Sequence, residues 1–510
     1  MNYTTLKRLF PTVSIVVIYL TVTLPFLFRI PLFEDETFHT QWSLSSKPIV
    51  EKLAGPLKVG IAPLFSWLAT VLSFITPNQI FAGKLVSVFF GLFTAILLHH
   101  ILHLHLKVKF SLWMVIVYML LPIVIVYSTL AMLDTLMVFF ALFSVYSLSL
   151  FLQGETPNFH TGSQAGVLNR GRIIHHFQIV KNFNLKTKNI SYLLLFFVAF
   201  TLALLTKQIT AFLAPALLIA ALFNEKGINK KLVQILCALI VSFLVFLLIF
   251  LPFKESSISF LADYAFITKD YHLLFVNFKK NLWLTFHWMR AYYPDFLLVT
   301  ALFGLFISFL FPKKGNNSRV FGIIFVVVGF SSLAFSKIYF PRYTLIFSPL
   351  LIIFVSHSLH FTFQKNKLAG YCVLAVVFLT TLSSTMSFFK NPKNIMAKED
   401  VFQFYEDWTS GNKLEEIASY LDLQAIQYSS VEVVSIDSTL YSYGLALYIT
   451  SKNIKVERDI EILQRERDGT NGLYLLLNKN KDFEFLNTQI EERIDFEVSP
   501  IHQVSLLKLN

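Results

Sequence analysis

The chain has little of what a soluble protein is built on. Charged residues make up only 15% of its 510 positions, and just 31 are acidic. With 55% hydrophobic residues and a mean hydropathy of +0.62, it lies outside the compositional range of soluble globular domains. Only two cysteines occur, Cys237 and Cys372, each inside an apolar run, which excludes a disulfide framework and a cysteine-based metal site. No segment repeats another. No small-residue cleavage site follows the first apolar stretch, Phe10 to Ile30, so it reads as a retained anchor behind Lys7 and Arg8, with the N-terminus cytoplasmic. The net charge of +12 does not point to nucleic acid as a partner, because the basic residues fall in short connectors between apolar runs and form no patch.

What is present is a series of apolar runs, and a span needs about 20 predominantly apolar residues. Candidates lie at 10–30, 83–102, 110–129, 134–152, 191–206, 208–223, 232–252, 295–311, 320–336, 343–363 and 368–389. The stretch 59–75 is ambiguous, and charge assigns it. Basic connectors at Lys107 and Lys109, Arg170 to Lys188, Lys226 to Lys231, Lys313 to Arg319, and Lys365 and Lys367 all fall inside only if 59–75 does not cross. Pro63 and Trp67 suit an interfacial or re-entrant helix there. The expected fold is therefore a polytopic α-helical membrane protein of about eleven spans. A transmembrane domain over 1–389 carries a first outer loop at 31–83 and a long outer loop at 253–295. Residues 390–510 change to a soluble mixture, with a helical "NKLEEIASYLDL" and strand-like "VEVVSID", "LYLLLN" and "HQVSLLKL". They are expected to form a small extracytoplasmic α/β domain. Residues 154–190 read as a polar cytoplasmic loop.

This topology gathers polar chemistry at one boundary. "PLFEDETFHT" places Glu34, Asp35 and Glu36 directly after the first apolar run; Asp134 opens another span with no basic residue beside it; Lys207 and Arg342 stand between apolar runs. Carboxylates at a membrane boundary cost free energy unless partnered or used. Solvated flanks, a helix N-terminus for Asp134 and snorkelling for the cations are the plain explanations. The chemical one is that cations neutralise a leaving phosphate while a carboxylate deprotonates an acceptor.

In chain order, "FEDETFH", "GIAPLFSWL", "GKLVSVFFGLFTAILL", "YSTLAMLDTLMVFFALFSVYSL", "LLTKQITAFLAPALL" and "FPRYTLIFSPLL" resemble the GT-C membrane glycosyltransferases. The likeness is to protein O-mannosyltransferases and the lipid A aminoarabinose transferase, and it covers most of residues 1–389. It implies a GT-C-like fold and inverting transfer of a sugar from a polyprenyl-phosphate donor to an extracytoplasmic protein, glycolipid or cell-wall polymer, at the plasma membrane. By the same resemblance Asp35 is the catalytic base or beside it, Glu36 positions acceptor or sugar, and Asp134 is a second acid. Lys207, Arg342 and Lys84 meet the donor phosphate, Lys84 standing where relatives often carry arginine. Ala62 and Pro63 replace a pair of prolines, and Gln208 replaces a glycine. Some relatives use a divalent metal and others none, so the cofactor stays open.

Weaker signals surround this set. His39, one turn from Asp35 on a helix, is a candidate acceptor, lipid or metal contact. Tyr343, Trp288 and Arg290 are candidate acceptor or lipid contacts, the last two within an aromatic and basic long loop. His99, His100, His103 and His105 have spacings compatible with a metal but sit at the opposite end of a span from the acids. The alternative function is a transporter or flippase, which places charges near the midplane in paired halves; these charges cluster at one boundary.

Overall fold

The computed structural model describes residues 3–44, 47–76, 78–153, 185–224, 230–253, 255, 271–310, 318–407, 409–435, 440–458, 471–477, 490–499 and 502–509. The helices in chain order are α1 Tyr3–Thr23, α2 Glu34–Thr40, α3 Ile49–Lys58, α4 Leu64–Ser73, α5 Gln79–His100, α6 Ser111–Met119, α7 Pro122–Thr129, α8 Asp134–Gln153, α9 Leu185–Thr206, α10 Leu213–Asn224 and α11 Lys230–Phe250. After these come α12 Tyr271–Tyr292, α13 Asp295–Leu310, α14 Ser318–Phe335, α15 Ser348–Lys365, α16 Lys367–Lys390, α17 Lys398–Val401 and α18 Leu414–Gln424. Helix occupies every one of the eleven expected apolar runs. Six of these helices are long and apolar enough to cross a bilayer alone, and α6 with α7 passes the same test only as a pair bent by 61° at Leu120–Leu121, the geometry of a broken span or a re-entrant loop. Pro122 opens α7 and lacks the amide that would continue α6. The others are shorter apolar helices. α4, inside 59–75, has ten residues, about 15 Å at 1.5 Å per residue, too short to span. Its end exposes Val71, and Phe74 and Ile75 follow exposed, as suits a helix lying at the lipid boundary.

The structure adds to two expectations. The long loop at 253–295 contains a 22-residue helix, α12. Its buried stripe, Asn277, Asn281, Thr285, Trp288 and Tyr292, follows helical spacing but is largely polar, so a search for apolar periodicity passes over it. Asn277 and Asn281 donate to the carbonyls of Leu333, Ala334 and Ser336 at 2.7–3.0 Å. They satisfy the free end of α14 and so fix the segment leading to Arg342. The C-terminal domain also holds more strands than expected. Its five-stranded sheet comprises β1 Ser430–Ser435, β2 Ile454–Glu457, β3 Asn471–Leu477, β4 Ile490–Ser499 and β5 His502–Leu509, in the order β2-β1-β3-β5-β4. β1 runs parallel to β2 and β3, and β5 antiparallel to β3 and β4. The additional strands are the two edges, where charged residues blunt the apolar alternation.

The alternation of β3 sets the packing of this domain. Tyr474 and Leu476 face α18, whose Leu414, Ile417 and Leu421 close one core. Leu473, Leu475 and Leu477 face the other side with Leu507 and Leu509. The first core also takes in Leu32 and Ile80 from the membrane domain. The expected loop at 154–190 falls almost wholly outside the described residues.

Candidate active site

The acids sit on a seven-residue helix, α2, whose first turn is Glu34, Asp35 and Glu36. Carboxylates in a first turn are favoured by the helix dipole, and Glu36 reaches back to accept from the Phe33 amide at 3.1 Å. Its other oxygen accepts from the Ala131 amide at 2.7 Å and lies 3.4 Å from Lys84 Nζ. Lys84 also donates to Leu27 O at 2.8 Å. Glu36 thus ties α2 to α5 and to the turn that opens α8, where Asp134 stands. Gly83 permits this approach, since a Cβ there would lie 2.6 Å from Thr40 Cγ2 and 2.8 Å from Ala131 Cβ.

With α2 seated in this way, two ion pairs face each other. Arg342 Nη1 meets Asp35 Oδ2 at 2.5 Å, and Lys207 Nζ meets Asp134 Oδ1 at 2.9 Å. The pairs lie within electrostatic reach of one another. Lys207 stands over the Tyr343 ring at 4.6 Å, a cation–π contact that holds it without spending a hydrogen bond. Asp35 keeps 30% of its side chain exposed, whereas Asp134 is fully buried. Three buried polar atoms here lack a partner among the described residues: His39 Nδ1, Asp134 Oδ2 and Arg342 Nε. Buried donors and acceptors left unpaired are costly, and their convergence marks a place for a polar ligand.

Electrostatics separates Asp35 from His39. Burial raises the Asp35 carboxyl, but Arg342 first and then His39 outweigh it, holding the group below the ordinary aspartate range. Burial depresses His39 to about 4, with Asp35 pulling the other way and Arg342 adding to the depression. At neutral pH the site therefore holds an ionised Asp35 and a neutral imidazole. The two signs of linkage can be tested by melting. A depressed Asp35 stabilises the fold above about pH 3.9 and loses that contribution only below it. His39, neutral when folded and protonated below about pH 6.5 when unfolded, lowers stability progressively as pH falls from 6.5 toward 4. The readout is the difference between the two proteins: Tm of the wild type minus that of His39→Gln should fall as pH goes from 6.5 toward 4, and a constant difference would contradict the assignment.

The remaining candidates fall into two groups. Tyr343 lies within the cluster. Lys84 does not, being 97% buried against Glu36 and Leu27 O and leaving no face for a phosphate. Glu36 is likewise fully buried and positions protein groups. Trp288 supports the site from one remove: it stacks on Tyr339 at 5.2 Å, and Tyr339 meets Tyr343 edge-on at 5.5 Å. Arg290 is two residues on, about 200° round the helix, so its exposed guanidinium turns away to Asp295 at 3.2 Å. At the other end His99 and His103 stack at 5.5 Å, and among the described residues no three His, Cys, Asp or Glu side chains gather as metal ligands.

One residue escapes sequence reasoning altogether. Asp400, from the start of the C-terminal region, is buried and accepts hydrogen bonds from Tyr127 Oη at 2.6 Å and from Tyr292 Oη. Burial pushes its carboxyl up to about 6, against those two donors and Arg342. "KEDVF" reads as a solvated helix start, and only the fold carries it to α7 and α12.

The helical bundle, the acid-bearing helix in the first loop and the appended sheet domain together have a GT-C fold. No family model matches the chain, and no curated protein matches it in sequence. Among solved structures it is similar to ArnT from Cupriavidus metallidurans bound to undecaprenyl phosphate, at TM-score 0.55 and 12% identity, over 97% of both chains. The apo state of the same protein matches at TM-score 0.52 and 12% identity, over 96% of this chain and 97% of that one.

Proposed function

We propose that the protein is an inverting glycosyltransferase of the plasma membrane that moves a sugar from a polyprenyl-phosphate donor to an extracytoplasmic acceptor. The observation that carries this reading is the placement of the two cations. Lys207 and Arg342 flank Tyr343, and Tyr343 also lines an apolar cavity together with Met137, Ala141, Leu213, Val328 and Ile346. A second, smaller apolar cavity shares Ala141, Leu213, Val328 and Ile346 and extends along α8 to Val145. Cations beside a residue that lines an apolar cavity suit a phosphate carried on a long hydrocarbon chain, and the structural neighbour ArnT was solved with undecaprenyl phosphate.

The chemistry follows from the ion pairs. A donor phosphate competes with Asp35 for Arg342, whose Nε is otherwise unpartnered. Once Arg342 turns to the phosphate, Asp35 loses the charge that depresses its basicity and becomes a better proton acceptor. The acceptor oxygen or nitrogen then bonds to the anomeric carbon as its proton passes to Asp35. The bond from that carbon to the phosphate oxygen breaks, and polyprenyl phosphate leaves with the electron pair, neutralised by Lys207 and Arg342. The exposed edge of Asp35 is the side from which an acceptor approaches.

The test is incubation of purified protein with radiolabelled polyprenyl-phosphate sugars and a membrane extract as acceptor. Label leaving the lipid phase for the acceptor supports the reading; no donor consumed across the panel, with or without divalent metal, overturns it. The cavity makes a further prediction. Ala141→Phe fills the slot, and the loss of about two buried methylene contacts, near 1.6 kcal/mol, should raise KM for a long-chain donor about fifteenfold. kcat, and KM for a donor shortened to two isoprene units, should stay within about twofold. Equal effects on both donors would remove the chain from the slot.

A further inference from the structure

The C-terminal domain touches the acids along one continuous line. At one end Asp400 holds the phenols of Tyr127 and Tyr292, and Glu399 accepts from Trp288 Nε1 at 2.8 Å. These contacts pin α17 to α7 and α12. At the other end the chain pairs with the acid loop: Gly411 N donates to Leu32 O at 2.7 Å, Glu34 N donates to Thr409 O at 3.0 Å, and Phe33 and Ser410 form an antiparallel bridge. Gly411 is required by this approach, because a Cβ would sit 2.7 Å from Leu32 O. A second strap arrives from beyond β1, where Leu440 N donates to Glu34 Oε2 at 2.9 Å.

Asp35 is the next residue after these ties, on a helix of seven residues. A helix so short has no stability of its own, so its place is set by what grips its ends. Glu36 grips it from within the membrane domain, and the segments around Ser410 and Leu440 grip it from outside.

We propose that the C-terminal domain is a clamp on the acid helix, in which Glu34 and Asp400 are positioning residues that hold Asp35 against Arg342. The kinetic arm of this proposal rests on the transferase reading; the mechanical arm does not. Hydrogen exchange of the full-length protein in nanodiscs, read on peptides covering residues 33–40, tests the mechanical arm. Glu34→Ala should raise exchange there about tenfold, the factor expected for one lost hydrogen bond to a charged group, and Gly411→Ala about fivefold, the factor for one lost neutral bond, with peptides of α5 and α8 unchanged. Glu34→Gln keeps an acceptor for Leu440 N and should restore protection. Asp400→Leu should raise the same peptide's exchange from the far end of the strap. In the transfer assay Glu34→Ala should lower kcat about tenfold with KM for the donor unchanged, and Glu34→Gln should recover it.

Unchanged exchange in both Glu34→Ala and Gly411→Ala overturns the clamp, whatever the protein transfers. A rise spread equally over α5 and α8 overturns it as well, since that is general loosening. A rise confined to 33–40 in a protein that consumes no donor keeps the clamp and overturns the transferase reading alone.

Discussion

Asp35→Asn should leave a folded, membrane-inserted protein whose transfer rate is lower by a factor on the order of 10²–10⁴, the usual contribution of a positioned general base. The substitution keeps the shape of the side chain and an oxygen for Arg342 but removes the proton-accepting charge. Asp35 is part-exposed, so its loss costs little of the fold. Arg342, freed of a competing carboxylate at 2.5 Å, should bind the donor phosphate as well as before or better. The signature is therefore a fall in kcat with KM for the donor unchanged or reduced. A variant that retains wild-type kcat would return the acid triplet to a solvated flank and move the proton acceptor elsewhere.

The largest effect on stability should come from Glu36→Leu. Glu36 has no exposed surface, and its removal leaves the Ala131 and Phe33 amides without their acceptor and the Lys84 ammonium buried without a counter-charge, held only by Leu27 O. Breaking a buried pair in this way costs about 3–5 kcal/mol, most of it from the stranded cation. Glu36→Gln with Lys84→Met should recover part of that loss, because the amide oxygen still accepts from the backbone and no charge is left unpaired. Tm of the three proteins in one detergent measures this directly. If Glu36→Leu melts with the wild type, Glu36 is not the tie between α2, α5 and α8, and the alignment of Asp35 with Asp134 needs another cause.

Much of this site was legible in the sequence because the membrane makes charge conspicuous. Asp134, Lys207 and Arg342 each interrupt or open an apolar run, and a charge in such a place needs a partner; the structure supplies one for each. The pairing itself was not legible, because Asp35 and Arg342 lie 307 positions apart and no periodicity links them. Lys84 and Arg290 show the limit of reading charge alone. Both are cations beside apolar residues, yet one is consumed by a buried acid and the other faces away round its helix. α12 and Asp400 were missed for a related reason: their buried surfaces are polar, satisfied by carbonyls and phenols, and polar residues carry no hydrophobic pattern to mark burial. The edge strands of the C-terminal sheet were blurred by the charges that protect them.

The bond between Glu34 and Leu440 joins residues 406 positions apart, and this sets a schedule for biosynthesis. At roughly 5–20 residues per second, a ribosome that has made the acid helix needs about 20–80 seconds more to deliver its final partner. Through that interval the nascent chain carries its carboxylates at the bilayer surface without the outer grip that aligns them. On the clamp proposal, a message cut short before codon 409 should yield a protein whose acid helix lacks the ties to Thr409, Gly411 and Leu440. If the clamp holds Asp35 as proposed, alignment of the acid helix is deferred until most of the chain has been made.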